Sequence, residues 1–198
     1  MSRRATLSRT TRETRIDLTI DLDTGGDGQV DVATGLPFFD HLLAQLGRHS
    51  GFGLTVAAEG DLEVDGHHTV EDVGIALGEA LAEALGDKSG IRRFASGLYP
   101  LDEALVEVAL DLSGRPFSVY EVEIGEVLAL GNPPFDPQLA EHFWQSLAAS
   151  ARITLHVRMR AGRNTHHILE ATAKGVGRCL RDAARVEGGG VPSTKGRL

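Results

Sequence analysis

Two adjacent histidines followed by a carboxylate occur twice in this chain, in Gly66-His67-His68-Thr69-Val70-Glu71-Asp72 and again in Asn164-Thr165-His166-His167-Ile168-Leu169-Glu170. Each copy leads into apolar residues three or four apart, Val70, Val73, Leu77, Leu81 and Leu85 in the first and Leu169, Val176, Leu180 and Ala184 in the second, so each opens an amphipathic helix. His67 and Glu71 share a helix face, whereas His68 lies about 100° around the axis and must point elsewhere. His166, Glu170 and His167 repeat that geometry. A lone copy would read as ordinary first-turn polarity. Two copies at matched places demand a fold made from two equivalent units, a constraint that precedes any element-by-element reading.

The remaining elements keep the register of that repeat. Residues 15–22 alternate, with Ile16, Leu18, Ile20 and Leu22 on one face, and Thr24 to Gly28 reads as a turn into a returning strand over 29–33, so a hairpin opens the fold. The spacing of Phe39, Leu42, Leu43 and Leu46 predicts a helix over 38–49, with Pro37 near its start and Gly51 beyond its end. A strand at 53–58 precedes the first His-His helix, which runs to about Gly86. The second half reads as strands at 105–112 and 117–124, a helix at 137–150, a strand at 152–159 and a helix at 166–185. His142 stands in it where His41 stands in the first half. The expectation is an α+β fold with internal duplication of a strand-strand-helix-strand-helix half-domain. The repeats lie at about 12–87 and 100–186, and two sheets pack with helices as one domain over 1–198. Lys88 to Pro100, with Arg92 and Arg93, reads as a connection. The segment Gly188 to Gly196 lacks periodicity and is either a frayed end or a loop that orders on a ligand.

Composition excludes several classes. The chain has 198 residues, 41% of them hydrophobic and only 5% aromatic, so its core must be built from aliphatic side chains. A net charge of -8 argues against nucleic acid or an anionic membrane as the main partner. Cys179 is the single cysteine, which rules out an internal disulfide and leaves no closed thiolate site for zinc. Met1-Ser2-Arg3-Arg4 leads into a polar segment rather than a signal core, and no apolar run is long enough to span a bilayer, so a cytoplasmic protein is expected.

Six imidazoles and two carboxylates then stand out as metal ligands: His41, His67, His68, Glu71, His142, His166, His167 and Glu170. The repeat geometry suggests two sites, each with a stacked His and Glu from one helix joined by the offset His and a helix His of the other copy. Nitrogen-rich sites with one carboxylate suit Mn, Fe, Co or Zn, and their open positions suit catalysis. Gln45 and His49 follow His41 on one helix face, where they either line a pocket beside the metal or form a polar helix surface. His156 on its strand receives no role.

Phe38-Phe39-Asp40-His41-Leu42-Leu43, both His-His stretches, Leu101-Asp102-Glu103-Ala104-Leu105, Asp111-Leu112-Ser113-Gly114-Arg115-Pro116 and Pro192-Ser193-Thr194-Lys195-Gly196 together resemble imidazoleglycerol-phosphate dehydratase, in order and over nearly the whole chain. The resemblance implies a homo-oligomeric shell of 24 subunits with sites where subunits meet, and two Mn2+ per active site, other divalent first-row metals being possible. It groups His41, His68, His166 and Glu170 around one metal and His67, Glu71, His142 and His167 around the other. It implies substrate contacts at Glu13, Gln45 and His49, and at Arg93, Arg115, Lys174, Ser193 and Lys195 around a phosphate, so that 187–198 becomes a substrate loop. The implied reaction dehydrates D-erythro-imidazole glycerol 3-phosphate to imidazole acetol phosphate in histidine biosynthesis. Glu13 is then the candidate for moving protons near the hydroxyls, with Glu71 and Glu170 as further carboxylates able to do so. Two rivals share the same residues, a non-catalytic metal-binding scaffold and a metal-dependent phosphatase.

Overall fold

The computed structural model describes residues 3–125 and 129–196; the first and last two residues of the predicted domain, and 126–128 within the second repeat, lie outside the described residues. The elements run β1 (Arg4–Thr10), β2 (Thr14–Asp21), β3 (Val30–Ala33), α1 (Pro37–Ser50), β4 (Gly53–Gly60) and α2 (His67–Leu85), then β5 (Phe94–Leu101), β6 (Ala104–Asp111), β7 (Phe117–Glu121), α3 (Leu139–Ala151), β8 (Thr154–Ala161) and α4 (Thr165–Ala184). The second half repeats the first element for element. The expected duplicated α+β architecture is present, and each half begins with one strand more than the periodicity suggested.

The sheets have matching orders, β1-β2-β4-β3 and β5-β6-β8-β7. In each, the outer hairpin strand pairs antiparallel with its successor, and the short third strand runs parallel to the fourth. The predicted hairpin between 15–22 and 29–33 is therefore corrected: β4 lies between β2 and β3, antiparallel to one and parallel to the other. The reason is apolar alternation. Leu54, Val56 and Ala58 bury one face of β4 as fully as Ile16, Leu18 and Ile20 bury that of β2, so both occupy central places. Lys88 to Pro100 is likewise not merely a connection, because its last residues form β5. Both strands missing from the reading are sheet edges. β1 presents Ser8, Arg9 and Thr10 with little apolar content, and β5 contains Gly97 and Pro100, which an edge tolerates because one side of its backbone needs no ladder partner.

Helices fill the space between the sheets. α2 packs on β1, β2 and β4 and α4 on β5 and β6, while α1 pairs with α4 and α2 with α3, so every helix pair joins the two halves. The resulting core is a single cluster of aliphatic residues with a few aromatic rings. Glycines bring the paired helices unusually close. A Cβ at Gly78 of α2 would lie 2.7 Å from the Leu147 carbonyl of α3, and one at Gly177 of α4 would lie 2.7 Å from the Leu46 carbonyl of α1. At the opposite end, Gly66 ahead of α2 sits against Leu36 ahead of α1 and Leu139 at the start of α3. The helices thus gather their N-terminal turns, and with them the histidines, at one end of the molecule. Among the described residues no helix is long and apolar enough to cross a membrane.

Candidate active site

His41 in the first turns of α1 meets the start of α4. Its Nε2 lies 2.9 Å from Glu170 Oε2, and His166 Nε2 lies 2.9 Å from the same oxygen. The ligand atoms of these three residues fall within 4.8 Å of one another, alone among the described residues. Two imidazole nitrogens and a carboxylate oxygen, with no thiolate, match the donor preference of divalent first-row ions. Glu170 is held ready for that task. Lys174 Nζ sits 2.5 Å from its other oxygen. Burial works against its ionisation, yet the bonds from Lys174, His41 and His166 outweigh it and bring the carboxyl down to about 2.

A second, looser group forms where α2 meets α3. The rings of His67 and His142 are 4.7 Å apart, and His67 Nε2 is 3.9 Å from Glu71 Oε2. Each group therefore takes its stacked His and Glu from one half of the chain and its third residue from the other half. The offset histidines join neither group within one chain. Nδ1 of His68 lies 3.0 Å from Asp61 Oδ2, and Nδ1 of His167 lies 2.8 Å from Glu103 Oε2. These bonds raise both imidazole pKa values. Glu103 is in turn lowered to about 2, first by His167 and then by the backbone amide of Asn164. A carboxylate only accepts, so Nδ1 carries a proton in each ring.

The proposed phosphate ligands separate into two places. Arg93, Arg115, Ser193 and Lys195 line one open cavity of about 630 Å³ with Pro192 and Thr194. Arg93 is anchored there by Asp111, which accepts from its Nε at 2.7 Å and Nη2 at 3.0 Å, and by the Pro192 carbonyl at 2.7 Å. Arg115 is largely exposed, with its Nη2 3.8 Å from Asp111 Oδ2. Lys174 is elsewhere, on Glu170. Gln45 and His49 are half-buried on the face of α1 that carries His41, and burial followed by the nearby charges of Lys174 and Arg178 lowers the His49 pKa. Glu13 occupies the β1–β2 turn, exposed, and its carboxylate makes no hydrogen bond or ion pair among the described residues.

Three residues were missing from the sequence reading or left without a role. Asp72 ends the first motif, yet it turns inward: Thr14 Oγ1 donates to it at 2.5 Å and Arg9 Nε at 2.9 Å, tying the hairpin that carries Glu13 to the helix that carries His68. A signal existed, since Asp72 falls between Thr69 and Ala76 on the apolar face of α2, where a charge requires partners. Glu103 stands in a turn motif whose local sequence does not separate structure from chemistry. Asp61 lies in a polar loop that gives no local sign of its role.

Comparison with known proteins agrees with this geometry. Residues 34–180 match the family model described as imidazoleglycerol-phosphate dehydratase. A protein of that name from Acidothermus cellulolyticus is 54% identical over 99% of this chain and 93% of its own length. One from Methanopyrus kandleri is 52% identical over 99% and 96%. The crystal structure of imidazoleglycerol-phosphate dehydratase from Staphylococcus aureus aligns with a TM-score of 0.81 at 32% identity, covering 92% of this chain and 99% of that one. The Pyrococcus furiosus enzyme in complex with (S)-C348 gives 0.82 at 36% identity, covering 97% and 100%. The chain belongs to the imidazoleglycerol-phosphate dehydratase family.

Proposed function

We propose that this chain is a cytoplasmic hydro-lyase that dehydrates D-erythro-imidazole glycerol 3-phosphate to imidazole acetol phosphate in histidine biosynthesis, using two divalent ions, manganese foremost. Its site is assembled between copies of one folded domain in a 24-subunit shell, and residues from 187 onward serve as a substrate loop. The observation that carries the intersubunit reading is a distance. The Arg93 amide bonds the Ala183 carbonyl, thirteen residues beyond Glu170 on α4. At 1.5 Å per residue that is about 20 Å along the helix. A substrate of three carbons between ring and phosphate is far shorter, which supports the reading that the phosphate cavity of one chain serves the Glu170 cluster of another. His68 and His167 support the same reading, because neither joins a cluster within its own chain and each makes its hydrogen bond through Nδ1, leaving Nε2 for a cluster on a neighbouring copy.

Bound ions would favour the imidazolate form of the substrate ring, which supplies the negative charge that expels the adjoining hydroxyl. The chain's own residues do the rest. Arg93 and Arg115, with Ser193 and Lys195, neutralise and orient the phosphate, which fixes the carbon chain relative to the ring. Glu13, uncommitted and held near His68 by the Asp72 anchor, takes the proton from the carbon bearing the second hydroxyl. The departing hydroxide takes up the proton the ring gave up and leaves as water; the C–H electron pair becomes the new C–C double bond and restores the ring's own pair; as the enol becomes the ketone, its O–H proton and the one held by Glu13 go to the ring-side carbon and to the ring nitrogen. Glu71 and Glu170 are the further carboxylates proposed to pass protons. Offering the Mn2+-loaded protein this substrate and, separately, a simple phosphomonoester tests the proposal. Ketone formation supports it; free phosphate with no ketone replaces it with phosphatase chemistry.

A further inference from the structure

The duplication is not symmetric at the two offset histidines. Glu13 and Glu103 are repeat equivalents, since each is the last residue of a hairpin turn, directly ahead of β2 and β6. Glu103 spends both oxygens locally. Oε2 meets His167 Nδ1 at 2.8 Å, while Oε1 accepts the backbone amides of Asn164 at 2.7 Å and Arg163 at 3.2 Å, pinning the carboxylate to the entrance of α4. Glu13 does neither. In the first half the link from the fourth strand to the paired histidines has six residues, 61–66, against four, 162–165, in the second. The longer link supplies Asp61, whose two oxygens lie 3.0 and 3.2 Å from His68 Nδ1. One side chain takes over in the first half what the turn glutamate does in the second.

We infer that Glu103 and Asp61 are the positioning residues of the metal centre, each holding an offset imidazole with its proton on Nδ1 so that Nε2 offers a lone pair to an ion, and that Asp61 releases Glu13 for chemistry. This rests on the function proposed above. The physical basis is that a carboxylate hydrogen-bonded to the remote nitrogen fixes both the tautomer and the ring plane and makes the ligand more basic. Around His167 the nearest other carboxylate, Asp102 Oδ2, is 3.9 Å from Nε2, beyond hydrogen-bond reach, so Glu103 alone sets that ring.

The two positions respond differently to the same chemical change. In Glu103→Gln the two backbone amides retain the amide oxygen, so its NH2 must face His167 Nδ1. The bond polarity reverses, the proton moves to Nε2, and the lone pair is lost without loss of fold. In Asp61→Asn no backbone amide dictates orientation, so the side chain rotates its oxygen onto His68 Nδ1 and keeps the tautomer. Asp61→Ala removes the acceptor altogether.

The test is Mn2+ affinity by chelator competition on the full-length assembled protein, with the unfolding temperature of the metal-free form and ketone formation measured alongside. Glu103→Gln and Asp61→Ala should each bind Mn2+ about 10- to 100-fold more weakly. Their metal-free unfolding temperatures should stay close to that of the parent, and saturating Mn2+ should restore most of the turnover. Asp61→Asn should remain close to the parent protein. If the parent binds Mn2+ and makes ketone while Glu103→Gln and Asp61→Ala bind it equally well, the positioning role falls and the proposed function stands. If the parent itself takes up no Mn2+, both fall. Should Glu103→Gln fail to fold, Asp61→Ala against Asp61→Asn decides alone.

Discussion

Single carboxylates in this protein differ by what already holds them. The Glu13 carboxylate has no hydrogen-bond or ion-pair partner among the described residues, and Glu13→Gln should lower kcat by about 10²–10⁴-fold while Mn2+ content, measured by elemental analysis, stays at the parent level. Parent-like turnover would remove Glu13 from the chemistry. Glu170 is the opposite case, gripped by Lys174 and two histidines and lowered to about 2. A carboxyl depressed in the folded state contributes stability above its unfolded pKa, near 4.5, and loses it as pH falls toward the folded value. Lys174→Met should therefore cost the metal-free protein about 1–3 kcal/mol near neutrality. Denaturant titrations at stepped pH should show that deficit shrinking between about pH 4.5 and 2. A deficit that is constant with pH would mean Lys174 acts by packing alone. At this scale the histidines and both helix carboxylates were legible, because i to i+4 spacing on a helix is a local property. Asp61 was not, since it meets His68 only through the path of a loop.

Between elements, position is transmitted by a few contacts that the linear pattern hides. The Asp72 carboxylate joins α2 to β1 and β2 through Arg9 and Thr14, and it is buried. Asp72→Asn should destabilise the fold by about 1–3 kcal/mol in chemical denaturation. It should also lower turnover more than Mn2+ binding, because the turn bearing Glu13 loses its tether. The α2–α3 crossing depends on Gly78, where even a methyl group would press on the backbone of α3. Gly78→Ala should cost about 1–3 kcal/mol as overpacking and separate His67 from His142. A neutral or stabilising result in thermal unfolding would show that the helices can slide apart freely. The apolar period placed every helix and the inner strands to within a few residues. It overlooked β1 and β5, because an edge strand is stabilised by backbone pairing on one side more than by a buried face. It also mispaired β2 with β3, because alternation shows which face of a strand is buried and says nothing of its neighbour.

At the scale of the whole molecule, the separation of the Arg93 cavity from the Glu170 cluster along α4 makes a quantitative demand on assembly. Glu170→Gln and Arg115→Ala, each inactive or severely weakened alone, should regain ketone formation when dissociated together and reassembled as mixed oligomers, as the proposed two-chain site requires. Absence of any recovery in oligomers verified as mixed would place both groups in one chain's site. By itself the sequence determined the duplication and the helix face that each repeated histidine and glutamate occupies, because these follow from covalent spacing and a fixed helical period. Only the tertiary structure decided that α1 meets α4 and α2 meets α3, that Asp61 and Glu103 bond the offset imidazoles at Nδ1, and that the Arg93 cavity lies at the far end of α4 from Glu170. Those facts depend on how buried faces and close-packed glycines let elements distant in the chain come together, which no local period records.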